Sequence, residues 1–114
     1  EQIDPPTDDL VAACSDLSWY LLFAADYADA ETAARKALSI REDIPAYSHL
    51  AHACLFQNKL DEAVEIHRTH RGAVGGGESW EARVTNAFRI FRESGLDHPG
   101  FKTIEQLLAG KPAE

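Results

Sequence analysis

At 114 residues and a formal net charge of −8, the chain reads as one acidic domain with room for a modest core. Its composition, 45% apolar and 26% charged, is that of a soluble globular domain, and its longest apolar run, Trp19 to Ala25, is too short to cross a bilayer. Residues 1–34 hold eight acids and no Lys or Arg, while residues 35–114 balance eleven against eleven, so the basic footprint that nucleic acid requires is missing. Neither nucleic acid nor membrane is an expected partner.

Residues 1–6 read as an extended lead-in, because Pro5 and Pro6 forbid a helix before them; Thr7 or Asp8 can cap a helix after them. That first helix has an apolar face at Leu10, Cys14, Leu17, Leu21 and Ala24, stepping by four and three. After a break at Ala25-Asp26, a second helix is predicted over residues 28–39, with Ala30, Ala33, Ala34, Ala37 and Leu38 inward; its alanines allow two helix axes to approach closely. Asp43-Ile44-Pro45 opens a third helix with proline in its first turn and a stripe at Tyr47, Leu50, Ala51, Cys54 and Leu55. A fourth runs over residues 61–70 on Ala63, Val64 and Ile66. The glycines of residues 72–77 predict a loop without regular structure. Ser79 can cap a fifth helix with Trp80, Val84, Ala87, Phe88 and Phe91 inward, ended by Gly95. Pro99 restarts a sixth, with Phe101, Ile104, Leu107 and Leu108 inward, and Gly110-Lys111-Pro112 stops it. No strand pattern is predicted.

One pattern occurs twice, 33 residues apart: Ala25-Asp26-Tyr27-Ala28-Asp29-Ala30 and Asn58-Lys59-Leu60-Asp61-Glu62-Ala63 are equivalent turns into a helix. Upstream, Leu17-Ser18 and Leu21 return as Leu50-Ala51 and Cys54. A two-helix unit that cannot bury its own apolar face must stack on a neighbour. With Tyr47 and Trp80 as the large early residues and Ala30, Ala37 and Ala63 as the small ones of the second helices, the chain resembles the tetratricopeptide repeat (TPR) family. The resemblance is good over residues 11–70 and loose over 77–109. It departs at Cys14, where an aromatic is usual, at His70, where alanine is usual, and in having no proline after Ile40. The tail, with His70-Arg71-Gly72, Ser79-Trp80-Glu81 and Gly95-Leu96-Asp97-His98-Pro99, resembles the closing segment of TPR regions at the C-termini of larger bacterial proteins.

The resemblance implies an all-α fold of three stacked antiparallel helical hairpins, a TPR-like α-solenoid whose last hairpin is divergent. As one domain over 1–114 it divides into a lead-in (1–9), a first repeat (10–42), a second (43–72), a glycine-rich loop (73–77) and a divergent third repeat (78–110). It further implies a non-enzymatic scaffold that binds a protein or peptide partner in a concave groove lined by the first helix of each hairpin. Those positions are Ser15, Trp19 and Phe23, then Ser48, His52 and Phe56, then Glu81, Thr85 and Arg89. Exposed aromatics there would serve as anchors; alternatively, Trp19 and Phe23 pack under the Pro5-Pro6 segment or against other chain. Self-association through exposed end helices is the second reading of the whole.

The acidic first third is either a solvated face or one half of a head-to-tail contact with Arg68, Arg71, Arg83, Arg89 and Arg92. Residues 72–79 match the phosphate-loop spacing G-x-x-x-x-G-K-[ST] except that Glu78 stands where lysine is required, which makes the segment a linker. His49-x-x-His52 and His67-x-x-His70 put two imidazoles on one face of consecutive helices, which is chelating geometry, against the plainer reading of surface and packing histidines. No catalytic residue, cofactor or metal is assigned. Cys14 and Cys54 lie on apolar stripes as small hydrophobes and fit a reducing compartment, taken as the cytoplasm.

Overall fold

The computed structural model describes residues 7–75 and 77–110. The expected lead-in over residues 1–6 and the last two residues of the Gly110-Lys111-Pro112 stop lie outside them. The described chain is mostly helical: α1 (Thr7–Phe23), α2 (Tyr27–Ile40), α3 (Ile44–Phe56), α4 (Leu60–His70), α5 (Trp80–Glu93) and α6 (Gly100–Leu108). Residues 7–9, assigned to the lead-in, are the first turn of α1. One feature overturns the sequence expectation: β1 (Val74–Gly75) and β2 (Glu78–Ser79) pair antiparallel across the glycine-rich segment. Two-residue strands leave no periodicity to read, and Gly77, just before β2, has a φ of 78° that only glycine adopts freely.

The first helix of each of the first two hairpins ends in the same backbone motif. Ala25 and Asn58 both adopt the left-handed conformation, with φ of 63° and 65°. In each, a 6→1 bond closes the helix, from the Asp26 amide to the Leu21 carbonyl at 3.0 Å and from the Lys59 amide to the Cys54 carbonyl at 2.9 Å. The 33-residue sequence repeat is thus a repeat of this cap. At Gly95 (φ 82°) α5 ends likewise, with Leu96 N–H on the Phe91 carbonyl at 2.7 Å. Ser79 caps α5 as expected, accepting from the Ala82 amide at 3.1 Å, and Asp43 caps α3, accepting from the Ala46 amide at 3.0 Å; α2, α4 and α6 start without a side-chain cap.

α1 packs on α2, α2 on α3 and α3 on α4. The alanine face of α2 (Ala30, Ala33, Ala34, Ala37) is buried, and Ser18 ties α1 to α2 by donating to the Ala30 carbonyl at 2.7 Å. α3 is buried nearly all round, Ala46, Ser48 and Leu50 to Leu55 included, because α1, α2, α4, α5 and β1 all lie against it. The inward face of α1 differs from expectation. Val11, Cys14, Ser15, Ser18 and Leu22 are buried, whereas Leu10, Leu17 and Tyr20 are 37%, 51% and 68% exposed. Leu counts as apolar in any periodicity and Ser as polar, yet here the serines face α2 and α3 because close helix approach requires small side chains.

The third helical pair is seated differently from the second. α5 lies against α3, and α6 against α4. Trp80, Val84, Ala87, Phe88 and Phe91 of α5 are buried together with Phe101 and Ile104 of α6; Phe88 and Phe101 stack at 4.1 Å. Leu107 and Leu108, also expected inward, are half-buried. His98 sets the start of α6, accepting from the Gly100 amide and donating to Asn58 Oδ1, each at 2.9 Å. Gly100 is there because a side chain would strike Leu55, whose Cδ1 lies 2.5 Å from where a Cβ would stand.

Candidate functional site

The groove residues of α1 and α3 meet around one side chain of α5. The Phe91 ring lies 5.4 Å from Trp19, 5.2 Å from Phe23, 5.2 Å from His52 and 5.2 Å from Phe56. Phe88 adds a second contact to His52 at 5.7 Å. The aromatics expected as exposed anchors are therefore half-buried (Trp19, Phe23, Phe56) or buried (His52), and what covers them is the chain's own fifth helix. Ser15 and Ser48 are buried as well: Ser48 Oγ donates to the Pro45 carbonyl at 2.7 Å, and Ser15 meets His49.

Glu81, Thr85 and Arg89, the α5 members of the expected groove, are not brought to these residues. Glu81 and Thr85 border a shallow depression shared with Glu105 and Leu108 of α6, and Glu81 accepts from the Gly72 amide at 2.9 Å. Arg89 is exposed, donating to Asn86 at 2.8 Å and lying 3.4 Å from Glu93. The expectation assumed that α5 would repeat the orientation of α3. Instead it turns its apolar stripe onto α1 and α3, which sends Glu81 and Thr85 toward α6.

Beside the Phe91 cluster a cleft of about 380 Å³ stays open between α1, α3 and α5. Asp16 and Trp19 form its α1 wall; Ser48, His49 and His52 form the α3 wall. From α5 come Arg83, Asn86 and Ile90, with Glu78 of β2 at the edge. Of the groove positions read from the sequence, only Trp19, Ser48 and His52 line it. Arg83, Asn86 and Ile90 were missed, and no signal in the sequence marks them: they flank the apolar stripe of α5 at three- and four-residue spacing, and only the seating of that helix makes them a wall.

Polar groups around the cleft divide into engaged and unengaged. His49 Nδ1 donates to the Ser15 carbonyl at 2.9 Å, and its ring lies 5.4 Å from Trp19. Burial lowers its pKa to about 4, against a smaller upward pull from that hydrogen bond. Arg83 Nη2 donates to the Gly75 carbonyl at 2.7 Å and lies 3.7 Å from Glu78, which fixes the β-hairpin against α5. Arg83 Nε and both ring nitrogens of His52 are buried with no hydrogen-bond partner. Burial holds His52 neutral, its pKa well below the ordinary value.

The two histidine pairs do not converge. His67 Nδ1 accepts from the Trp80 indole N–H at 3.1 Å, so its proton is on Nε2, which is unpartnered; burial brings its pKa down to about 3. His70 donates to the Ile66 carbonyl at 2.8 Å and lies between Tyr47 and Trp80, at 4.1 and 5.1 Å. His52 and His67 face each other at 6.3 Å. Among the described residues no group of three or more His, Cys, Asp or Glu side chains is placed to hold a metal ion. Both cysteines are free and buried, and burial pushes the Cys54 thiol up to about 11. No described helix is long and apolar enough to cross a membrane.

No family model, curated protein or solved structure matches this chain.

Proposed function

We propose that the chain is a TPR-like protein-interaction module, a stacked-hairpin scaffold within a larger bacterial protein, that binds a peptide or helix on the face formed by α1, α3 and α5. The observation that carries this reading is the seating of α5. A helix with aromatic knobs at Phe88 and Phe91 already lies on the groove side of α1 and α3, among Trp19, Phe23, His52 and Phe56. A surface that accepts an amphipathic helix in cis has the shape and chemistry of a helix-in-groove site. The open cleft next to it is where a partner gains contact without displacing α5. Catalysis is no part of this reading, and the compartment proposed is the cytoplasm.

Capture from a lysate tests it with two variants beside the wild type. Trp19→Ala removes a cleft wall, and Tyr20→Ala removes an exposed ring on the outer side of α1. A partner retained by Tyr20→Ala and lost by a folded Trp19→Ala supports the cleft; loss with Tyr20→Ala alone moves the contact to outer α1.

Homo-oligomerisation is the second reading, favoured by Leu10, Leu17 and Tyr20, which form an exposed apolar stripe at seven- and three-residue spacing. Sedimentation equilibrium of wild type beside Leu17→Lys decides it: a concentration-dependent mass abolished by the lysine supports self-association.

A further inference from the structure

α1 has two apolar faces, and the fold uses only one of them. Val11, Cys14, Ser15, Ser18 and Leu22 are buried where α1 packs on α2 and α3. The other face runs Leu10, Ala13, Leu17, Tyr20, at steps of three, four and three, and every member is exposed. Ala24 adds a further step of four, its amide still bonded to the Tyr20 carbonyl at 3.2 Å. Steps that alternate between three and four have the period of a coiled-coil seam. Leu10, Leu17 and Ala24 then hold one set of core positions, and Ala13 and Tyr20 the other. Singly scattered apolar residues on a surface need no explanation, whereas a continuous exposed row of them marks a contact.

The two margins of this seam differ in charge. On one side Cys14 is buried and Leu21 half-buried, both spent within the fold. On the other stand Asp9 and Asp16, both exposed, each immediately before a core position. Among the described residues the one base paired with α1 is Arg41, and it is taken by Asp8. Asp26 and Asp29, just beyond Ala24, are exposed as well, and the last turn of α1 holds no base to offset its free carbonyls. The flank is therefore acidic along its length, and its complement is cationic.

A second copy of the chain is a poor occupant of such a seam. Packed antiparallel, like flanks meet, which sets Asp9 and Asp16 of each copy against the same acids of the other. Packed parallel, the acidic flank meets Cys14 and Leu21, which offer no charge. A helix with an apolar seam and Lys or Arg beside it fits in either direction.

We infer that the outer face of α1 docks a basic amphipathic helix of a partner protein in a two-helix coiled-coil contact. Apolar side chains of that helix cover Leu10, Ala13, Leu17 and Tyr20, and its Lys or Arg residues lie beside Asp9 and Asp16. Exposed ion pairs contribute little on their own, so the seam supplies affinity and the acids select the charge of the partner. Asp16 also borders the cleft, but the seam turns away from Trp19, and this surface stands independently of the binding face proposed above.

The experiment is a fluorescence-anisotropy titration of three labelled synthetic peptides with the full chain at low salt. Two share a three-heptad leucine seam, one with Lys and one with Glu at the flanking positions; the third has the composition of the Lys peptide in scrambled order. The Lys helix is expected to bind saturably at one to one, with the other two at least about tenfold weaker and with affinity falling as salt is added. Leu17→Lys, at a side chain already exposed, loses Lys-helix binding by about tenfold or more. Asp9→Lys combined with Asp16→Lys transfers the preference to the Glu helix, a gain that misfolding does not imitate. A folded Trp19→Ala binds the Lys helix as wild type does. Equal binding of the Lys helix and either control, no saturable binding at all, or full binding by Leu17→Lys overturns the inference. Two further outcomes overturn it: loss of the Lys helix with Trp19→Ala but not with Leu17→Lys, which returns the contact to the cleft face, and a dimer abolished by Leu17→Lys that takes up no Lys helix, which assigns the seam to a second copy. Lys-helix binding intact alongside failed capture through the cleft removes the binding face proposed above and supports this one.

Discussion

Ala25 and Asn58 occupy the same left-handed position of the two hairpin turns, yet only Asn58 is a residue that tolerates it well. A β-carbon in that conformation costs about 1–2 kcal/mol, and glycine removes the cost while losing more freedom on folding. Ala25→Gly is therefore expected to stabilise the chain by about 0.5–1 kcal/mol, read as a rise in thermal midpoint. The buried imidazoles act in the opposite sense on acidification. His49 and His67 have folded pKa values lowered to about 4 and about 3, and His52 is lowered too, so the unfolded chain binds more protons below the ordinary value of 6.5. Stability present above that value is lost as pH falls from about 6.5 toward 3, at about 1.4 kcal/mol per pH unit for each group. Glu31 acts in the same sense lower down. Burial opposes its ionisation, but hydrogen bonds from Lys59, Arg35 and Gln57 win and hold its pKa at about 2. Denaturant titrations across that window are expected to show a steep acid loss. His52→Leu should flatten it and raise stability at pH 7 by about 1 kcal/mol, because it removes two unpartnered buried nitrogens.

At the level of elements, the start of α5 was readable because it rests on one residue, Ser79, which caps as its side chain dictates, and the start of α3 because Pro45 marks its first turn. Ends were readable where glycine or a turn dipeptide marked them. Periodicity reports that a side of a helix is buried, not what buries it, and this explains both differences in the candidate site. The serines of α1 face inward because α2 comes close, and α5 covers Trp19 and Phe23 although nothing in its own stripe names α1 as neighbour. Phe91 is the side chain on which that seating depends. Phe91→Ala should cost about 3–5 kcal/mol, and where the variant still folds, a hydrophobic dye should bind the uncovered Trp19–Phe23–Phe56 surface. The β-hairpin has a comparable single dependence. A Cβ at Gly75 would stand 2.7 Å from Ile44 Cβ, so Gly75→Ala should push β1 off α3 and destabilise the chain, measurable as a lower denaturation midpoint.

For the whole molecule, α3 is the element that most of the others lean on, packed by α1, α2, α4, α5 and β1. Its amides are expected to exchange hydrogen most slowly, those of α6 and of the exposed first turn of α1 fastest; mass spectrometry of exchanged peptides checks the order. The surface ion pairs, such as Arg92 with Glu105 at 2.9 Å or Arg68 with Glu65 at 3.0 Å, should matter little to that order, being exposed and screened. Both tryptophans of the chain sit where α5 meets the rest. Trp19 lies on Phe91, and Trp80 is hydrogen-bonded to one imidazole and stacked on another. The protein therefore carries both of its tryptophans at this one boundary. Any event there, whether a ligand entering the cleft, a proton reaching His67 or α5 lifting away, alters emission colour or quenching without a label.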